Sequence, residues 1–198
     1  YNEAAYKAVT SKGTDMTSAI TNPSFETGDL TGWACTNGED TDAKDNSNGT
    51  YTMSGCDGAK VFNTWKADGA VCASVTQTIT GLKAGKYAVV ATMASDAAHE
   101  LYVSLNGGTQ GTATTTDKGT GVVVSAEGEI ALGSNELTIE AGTTDGGWFK
   151  ADNFKLVLIE EYAEPVIADL KLTDKVATTA TPGDYNLTYT RSFTKANI

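Results

Sequence analysis

Residues Lys86–Ser95, KYAVVATMAS, decide the fold class. The stretch alternates in part and is rich in β-branched and aromatic residues, the composition of a strand. Working outward, similar segments recur: VCASVTQTI (Val71–Ile79), ELYVSLN (Glu100–Asn106), TGVVVSA (Thr120–Ala126), NELTIEA (Asn135–Ala141) and WFKADNFKLVLIE (Trp148–Glu160). The glycine-bearing turns TGLKAGK, NGGTQG, AEGE and GTTDGG separate them. Strands at short regular spacing, with no long amphipathic helix between them, predict an all-β chain of antiparallel sheets. Roughly eight or more strands over about 140 residues predict a two-sheet jelly roll, a β-sandwich.

The flanks differ from this centre. In NEAAYKAVT (Asn2–Thr10), Ala5, Ala8 and Val9 fall at helical spacing, so one or two helical turns are expected there. Residues 1–16 are read as a lead-in from an upstream element, and residues 17–162 as the sandwich. Beyond Tyr162 come two of the three prolines and a fresh alternating run, Tyr185–Phe193. Those last 36 residues cannot build a core alone. Residues 163–198 are therefore expected to be a linker or the start of a truncated second β domain, which makes neighbouring domains of the same chain expected partners. Glu39–Asp57, with five acids and one lysine, reads as a long polar loop.

Charge narrows the function. Fourteen Lys and Arg face 25 Asp and Glu, a net charge of −11, the wrong sign for a nucleic-acid partner. No stretch approaches the roughly 18 to 20 apolar residues of a membrane helix. Cys35, Cys56 and Cys72 cannot all pair; one disulfide with a spare thiol and three free thiols are the two readings. Their spacings match no zinc site. His99, the single histidine, stands in AAHELYV with no serine or cysteine nucleophile placed against it. A glycosidase needs two carboxylates facing each other across a cleft. Glu129, Glu136 and Glu140 fall instead at strand positions directed to solvent, and a non-enzyme is expected.

The tryptophans carry the remaining signal. Trp33, Trp65 and Trp148 sit in the turn-rich contexts TGWACTNG, FNTWKADG and DGGWFKAD. An indole stacks on the C–H face of a sugar while nearby Asn and Asp bind its hydroxyls. Trp33, two residues before Cys35, is expected in the core. Trp65 and Trp148 have two readings, core plugs or stacking platforms. In the second, Asn63, Asp68 and Asp145 supply the hydroxyl contacts.

Three stretches in order, AITNPSFETGDLTGW, VTQTITGLKAGKYAVVATM and WFKADNFKLVLI, resemble the jelly-roll carbohydrate-binding modules of the galactose-binding-domain-like superfamily. The likeness is to the form found in secreted or surface multidomain proteins of gut anaerobic bacteria, and it spans about Thr17 to Tyr162. It implies a non-catalytic module that binds a polysaccharide or glycan, or an adhesion or spacer domain without a small ligand. It also implies a structural calcium between the first and last strands. By that resemblance Glu26 and Asp152 are the ligands, joined by carbonyls near Asn22 and Asp29; calcium takes six to eight hard oxygens. The alternative is that both acids cap turns or pair with Lys150 or Lys155. In this reading TNPSFETGDLTGW is a first strand whose Phe25 enters the core.

Overall fold

A computed structural model describes residues 1–46, 52–66, 73–96, 98–144 and 147–163. The chain divides into two units, Tyr1–Tyr162 and Ala163–Ile198. Apart from Ala163, the described residues belong to the first; the expected linker or second β domain lies outside them.

The strands are β1 (Thr14–Asp15), β2 (Ala34–Thr36), β3 (Glu39–Asp45), β4 (Lys60–Lys66), β5 (Ser74–Thr80), β6 (Gly85–Ser95), β7 (Glu100–Leu105), β8 (Gly111–Thr114), β9 (Val122–Ile130), β10 (Glu136–Thr143) and β11 (Gly147–Glu161). One sheet runs β3-β4-β11-β6-β9, with β1 also paired to β11, and the other runs β2-β5-β10-β7-β8. Every pairing is antiparallel. The two sheets enclose one core, so the all-β sandwich expected from the sequence is the observed architecture.

β6 and β11 form the spine of the six-stranded sheet, paired from Phe149↔Ser95 to Glu161↔Gly85. β6 lacks clean alternation because both of its faces are covered. Its inner residues Tyr87, Val89, Ala91 and Met93 join the main core. On the outer side Ala88 and Val90 pack with Tyr6 and Val9 of a helix, α1 (Glu3–Thr10), while Ala94 packs with Met53 and Val61. Asn2 caps α1 by accepting from Ala5 N at 3.0 Å. The N-terminal segment therefore lies on the sandwich as part of its compact unit.

β11 changes phase partway along. Phe149 and Ala151 face the core, and so do Phe154 and Leu156. Odd positions point inward before Asn153 and even positions after it. The switch occurs at a bulge where the register with β6 slips between Asp152 and Lys155. Asn153, at φ 53°, is the extra residue; Asn adopts this left-handed backbone at lower cost than most residues.

Two local expectations need correction. Residues 21–33 are turns and bends, so TNPSFETGDLTGW is not a first strand. Asn22 and Phe25 have φ of 51° and 54°, incompatible with extended pairing. Phe25 is nonetheless fully buried and Trp33 nearly so. Their rings meet at 5.4 Å, with Phe62 at 5.6 Å from Phe25 and Phe154 at 4.7 Å from Trp33. Trp33 Nε1 donates to the carbonyls of Thr21 and Asn22 at 3.0 and 3.1 Å. Secondly, the polar loop expected over Glu39–Asp57 contains β3, an edge strand on β4. Main-chain pairing along an edge needs little apolar side-chain content, so hydropathy did not mark it.

Phe154→Ala removes the ring that joins Trp33 and Phe25 to β11. It is expected to lower the unfolding free energy by about 3 to 5 kcal/mol, measured as a fall in the urea midpoint at unchanged slope.

Candidate functional site

Alternation along β4 sends Phe62 into the core and leaves Val61, Asn63 and Trp65 on the outer face. On β11 it does the same for Trp148, Lys150 and Asp152. Trp65 lies directly opposite Trp148, and Asn63 opposite Lys150. Edge strand β3 extends these rows, with Glu39 opposite Trp65 and Asp42 opposite Asn63. The two tryptophans thus share one face of the sheet as cross-strand neighbours, close enough for their side chains to interact.

They are not equivalent. Trp65 is 42% exposed. Trp148 is half-buried against the Met53, Val61 and Ala94 cluster. Asn63 is half-buried, and Asp68 and Asp145 lie outside the described residues. The structure adds two groups to the face: Lys150, which the sequence offered only as an alternative ion-pair partner of Glu26 or Asp152, and Asp42. Lys150 is only 3% exposed. Burial holds its amine below the usual lysine range, with Lys44 acting in the same direction and Cys56 opposing it. Asp42 has one buried oxygen, Oδ1, with no partner among the described residues, while Lys44 Nζ stands 3.6 Å from Oδ2. Neither was assigned to this face from the sequence, because a lysine or aspartate in a strand ordinarily reads as solvent-facing.

Glu26 and Asp152 are brought to a common segment, Asp57–Lys60. Glu26 Oε1 accepts from the N–H groups of Ala59 and Lys60 at 2.9 and 2.6 Å. Asp152 Oδ2 accepts from Asp57 N at 2.8 Å. Gly58 lies beneath the Glu26 carboxylate; its φ is 80° and an added Cβ would stand 2.4 Å from Glu26 Cδ. Asp57, another residue without a sequence signal, takes a hydrogen bond from Ser24 Oγ at 3.1 Å. Asp152 is fully buried, and its Oδ1 has no partner among the described residues. Burial pushes its carboxyl up to about 8; N–H donation from Asp57 and Asn153 opposes this, and the charges of Asp57 and Glu26 add to it. The carbonyls of Asn22 and Asp29 are engaged within their own turn, accepting from Phe25 N at 3.3 Å and Asn22 Nδ2 at 3.0 Å.

The other reactive side chains are quiet. Cys35 and Cys56 are free thiols, each half-buried. Burial, then the Asp152 charge, pushes the Cys56 thiol up to about 12, leaving little thiolate to react at neutral pH. Cys72 lies outside the described residues. The ring of His99 packs on Gly147, and its buried Nδ1 has no partner among the described residues.

Neither a protein-family model nor a curated protein matches the sequence. Solved structures do match. The carbohydrate-binding module TmCBM61, in complex with β-1,4-galactotriose, aligns with a TM-score of 0.51 at 20% identity over 71% of this chain and 97% of that one. The enzymatically active domain of bacteriophage CBA120 tailspike protein 4 aligns at 0.50 and 16% identity, over 71% of this chain and 21% of its own. The CBM22-1–GH10 modules of Clostridium thermocellum xylanase 10B, complexed with xylohexaose, align at 0.50 and 13% identity, over 79% of this chain and 30% of theirs. At these identities the likeness is one of fold: the antiparallel β-sandwich on which such modules are built.

Two measurements check this geometry. Trp65→Phe is expected to remove the largest share of the acrylamide-quenchable tryptophan emission, since Trp33 is buried and Trp148 half-buried. The second concerns pH. An unfolded aspartate has lost its proton above about pH 4, whereas the folded chain without metal keeps Asp152 protonated up to about 8. Between these limits the folded state holds the extra proton, so this group lowers stability as pH rises. Asp152→Asn in chelator-treated protein is expected to flatten that part of the melting-temperature profile.

Proposed function

We propose that the chain is a non-catalytic carbohydrate-binding module of a larger secreted or surface protein. The observation that carries this reading is Trp65: a large aromatic, 42% exposed, on a sheet face beside a second tryptophan. A sugar ring stacks on the indole, and Asn63 and Asp42 in the next row meet its hydroxyls. Asp68 and Asp145 belong to the same proposal. The sugar complexes of TmCBM61 and of the xylanase modules support the reading by analogy of fold. No helix among the described residues is long and apolar enough to cross a membrane.

Binding through one exposed platform is weak, with an expected dissociation constant of about 10⁻³ to 10⁻⁵ M. A glycan array at high protein concentration followed by calorimetry tests it. Trp65→Ala is expected to weaken binding of the best glycan at least about tenfold, or 1.4 kcal/mol. A confirmed ligand bound equally well by this variant would move the site elsewhere. The second reading, an adhesion or spacer domain, is favoured by the packing of Trp148 against the Met53 cluster. An array with no binder at millimolar protein would select it.

We also propose that Glu26 and Asp152 hold a structural calcium ion. The buried Oδ1 of Asp152, without a partner among the described residues, and the approach of the Glu26 and Asp57 charges to that carboxyl support it. Among the described residues no three His, Cys, Asp or Glu side chains form a cage by themselves. The remaining ligands in this proposal are main-chain carbonyls and water, as a hard cation accepts. The ion's contribution would be charge neutralisation and cross-linking of the Glu26 turn to β11. Calcium bound only by the folded chain must raise its melting temperature by mass action. Identical melts in calcium and in chelator, after complete stripping, would leave both acids as turn caps.

A further inference from the structure

We infer that Tyr6 is a positioning residue for the Asp152 carboxylate, and that docking of α1 is thereby coupled to cation binding, an inference that rests on the calcium reading above. The Tyr6 hydroxyl lies 2.7 Å from both the main-chain oxygen and Oδ1 of Asn153, its single proton shared between them. Asn153 is the bulge residue that follows Asp152, and its main-chain N–H donates to that carboxylate. Its side-chain amide reaches across to donate to Gly55 O at 3.4 Å, and Gly55 O also accepts from Thr92 Oγ1 at 3.1 Å. Two residues on, Asp57 N donates to Asp152 Oδ2. A continuous path therefore runs from α1 through Asn153 and the Gly55–Asp57 segment back to the carboxylate.

The helix meets the sheet through an apolar face. Tyr6 and Val9 are its buried residues, packed on Ala88, Val90 and Val157. Lys12, just beyond its end, pairs with Glu127 at 2.6 Å. Of these contacts the Tyr6 hydroxyl alone touches the bulge. A left-handed residue in a strand is held by its surroundings, and this hydrogen bond is the part of those surroundings that α1 supplies. If docking of α1 holds the bulge in the geometry that presents Asp152, cation binding must by linkage hold α1 in place to the same extent.

The test uses the full chain and calcium itself. Tyr6→Phe keeps the ring and its packing and removes the hydroxyl. Calorimetric titration of calcium into the stripped protein is expected to give an affinity about 2- to 12-fold weaker in this variant, the equivalent of one net hydrogen bond. Hydrogen exchange supplies the second readout: calcium is expected to slow exchange of the α1 amides in the natural sequence, and to do so less in Tyr6→Phe. A purely structural role for Tyr6 would lower the melting temperature equally with and without calcium and leave the affinity unchanged. Equal affinities would overturn the coupling while leaving calcium binding itself intact. No calcium binding to the natural sequence would overturn both.

Discussion

The phase change at Asn153 is the constraint around which this sandwich is arranged. A strand that alternates without interruption gives each face one parity of residue. β11 instead brings Phe149 and Ala151 inward, then Phe154 and Leu156. Only with that slip does Phe154 meet Trp33 and Phe25, which lets the non-strand segment 20–33 plug one end of the core. Phe154 N donates to Pro23 O at 3.0 Å, tying the plug to the strand just past the bulge. Asp152, the last residue before the slip, stays on the outer side by the same alternation as Trp148 and Lys150, where Asp57 N donates to it. Core closure and the buried acid thus meet at one backbone feature.

The sequence carried the sandwich and its spine because those strands are long and apolar enough to be visible. β6, β7, β10 and β11 lie within a residue or two of the stretches read as strands, and β5 and β9 overlap theirs. What escaped was structure held by main-chain pairing or by fixed turns. β3, EDTDAKD, carries one small apolar side chain between charges, and pairing with β4 is what makes it a strand. Phe25 could be assigned to the core from its type, whereas its left-handed backbone, which forbids a strand there, has no signature in a Phe–Glu–Thr context. Asn153 is more legible in hindsight, since Asn is enriched in that conformation, but a lone Asn in a strand-like run is too common to mark a bulge.

The outer face shows a similar division. Trp65 and Trp148 were singled out by residue type, and register is what makes them neighbours. Periodicity cannot reveal that a lysine will be buried, and Lys150 is enclosed by side chains from other strands and segments. For the acids, separation in sequence hides the gathering. Glu26, Asp57 and Asp152 come from three distant segments, and the middle one lies in what reads as featureless polar loop. The charges of Glu26 and Asp57 act on the Asp152 carboxyl only in the folded chain, which is why composition showed surplus negative charge without showing where it concentrates.

β3 has a consequence for how such a surface can exist at all. It forms the border of the six-stranded sheet and flanks the bare indole of Trp65. An unprotected border beside an apolar side chain invites another copy to add its own strand and begin a stack. Glu39, Asp40, Asp42 and Asp45 give this border an excess of negative charge, even with Lys44 and Lys60 paired to Asp42 and Asp45, and the register slips between Glu39 and Asp42. Two copies approaching along it repel each other and find no straight ladder to extend. An acidic, irregular rim of this kind opposes strand addition beside an exposed aromatic side chain.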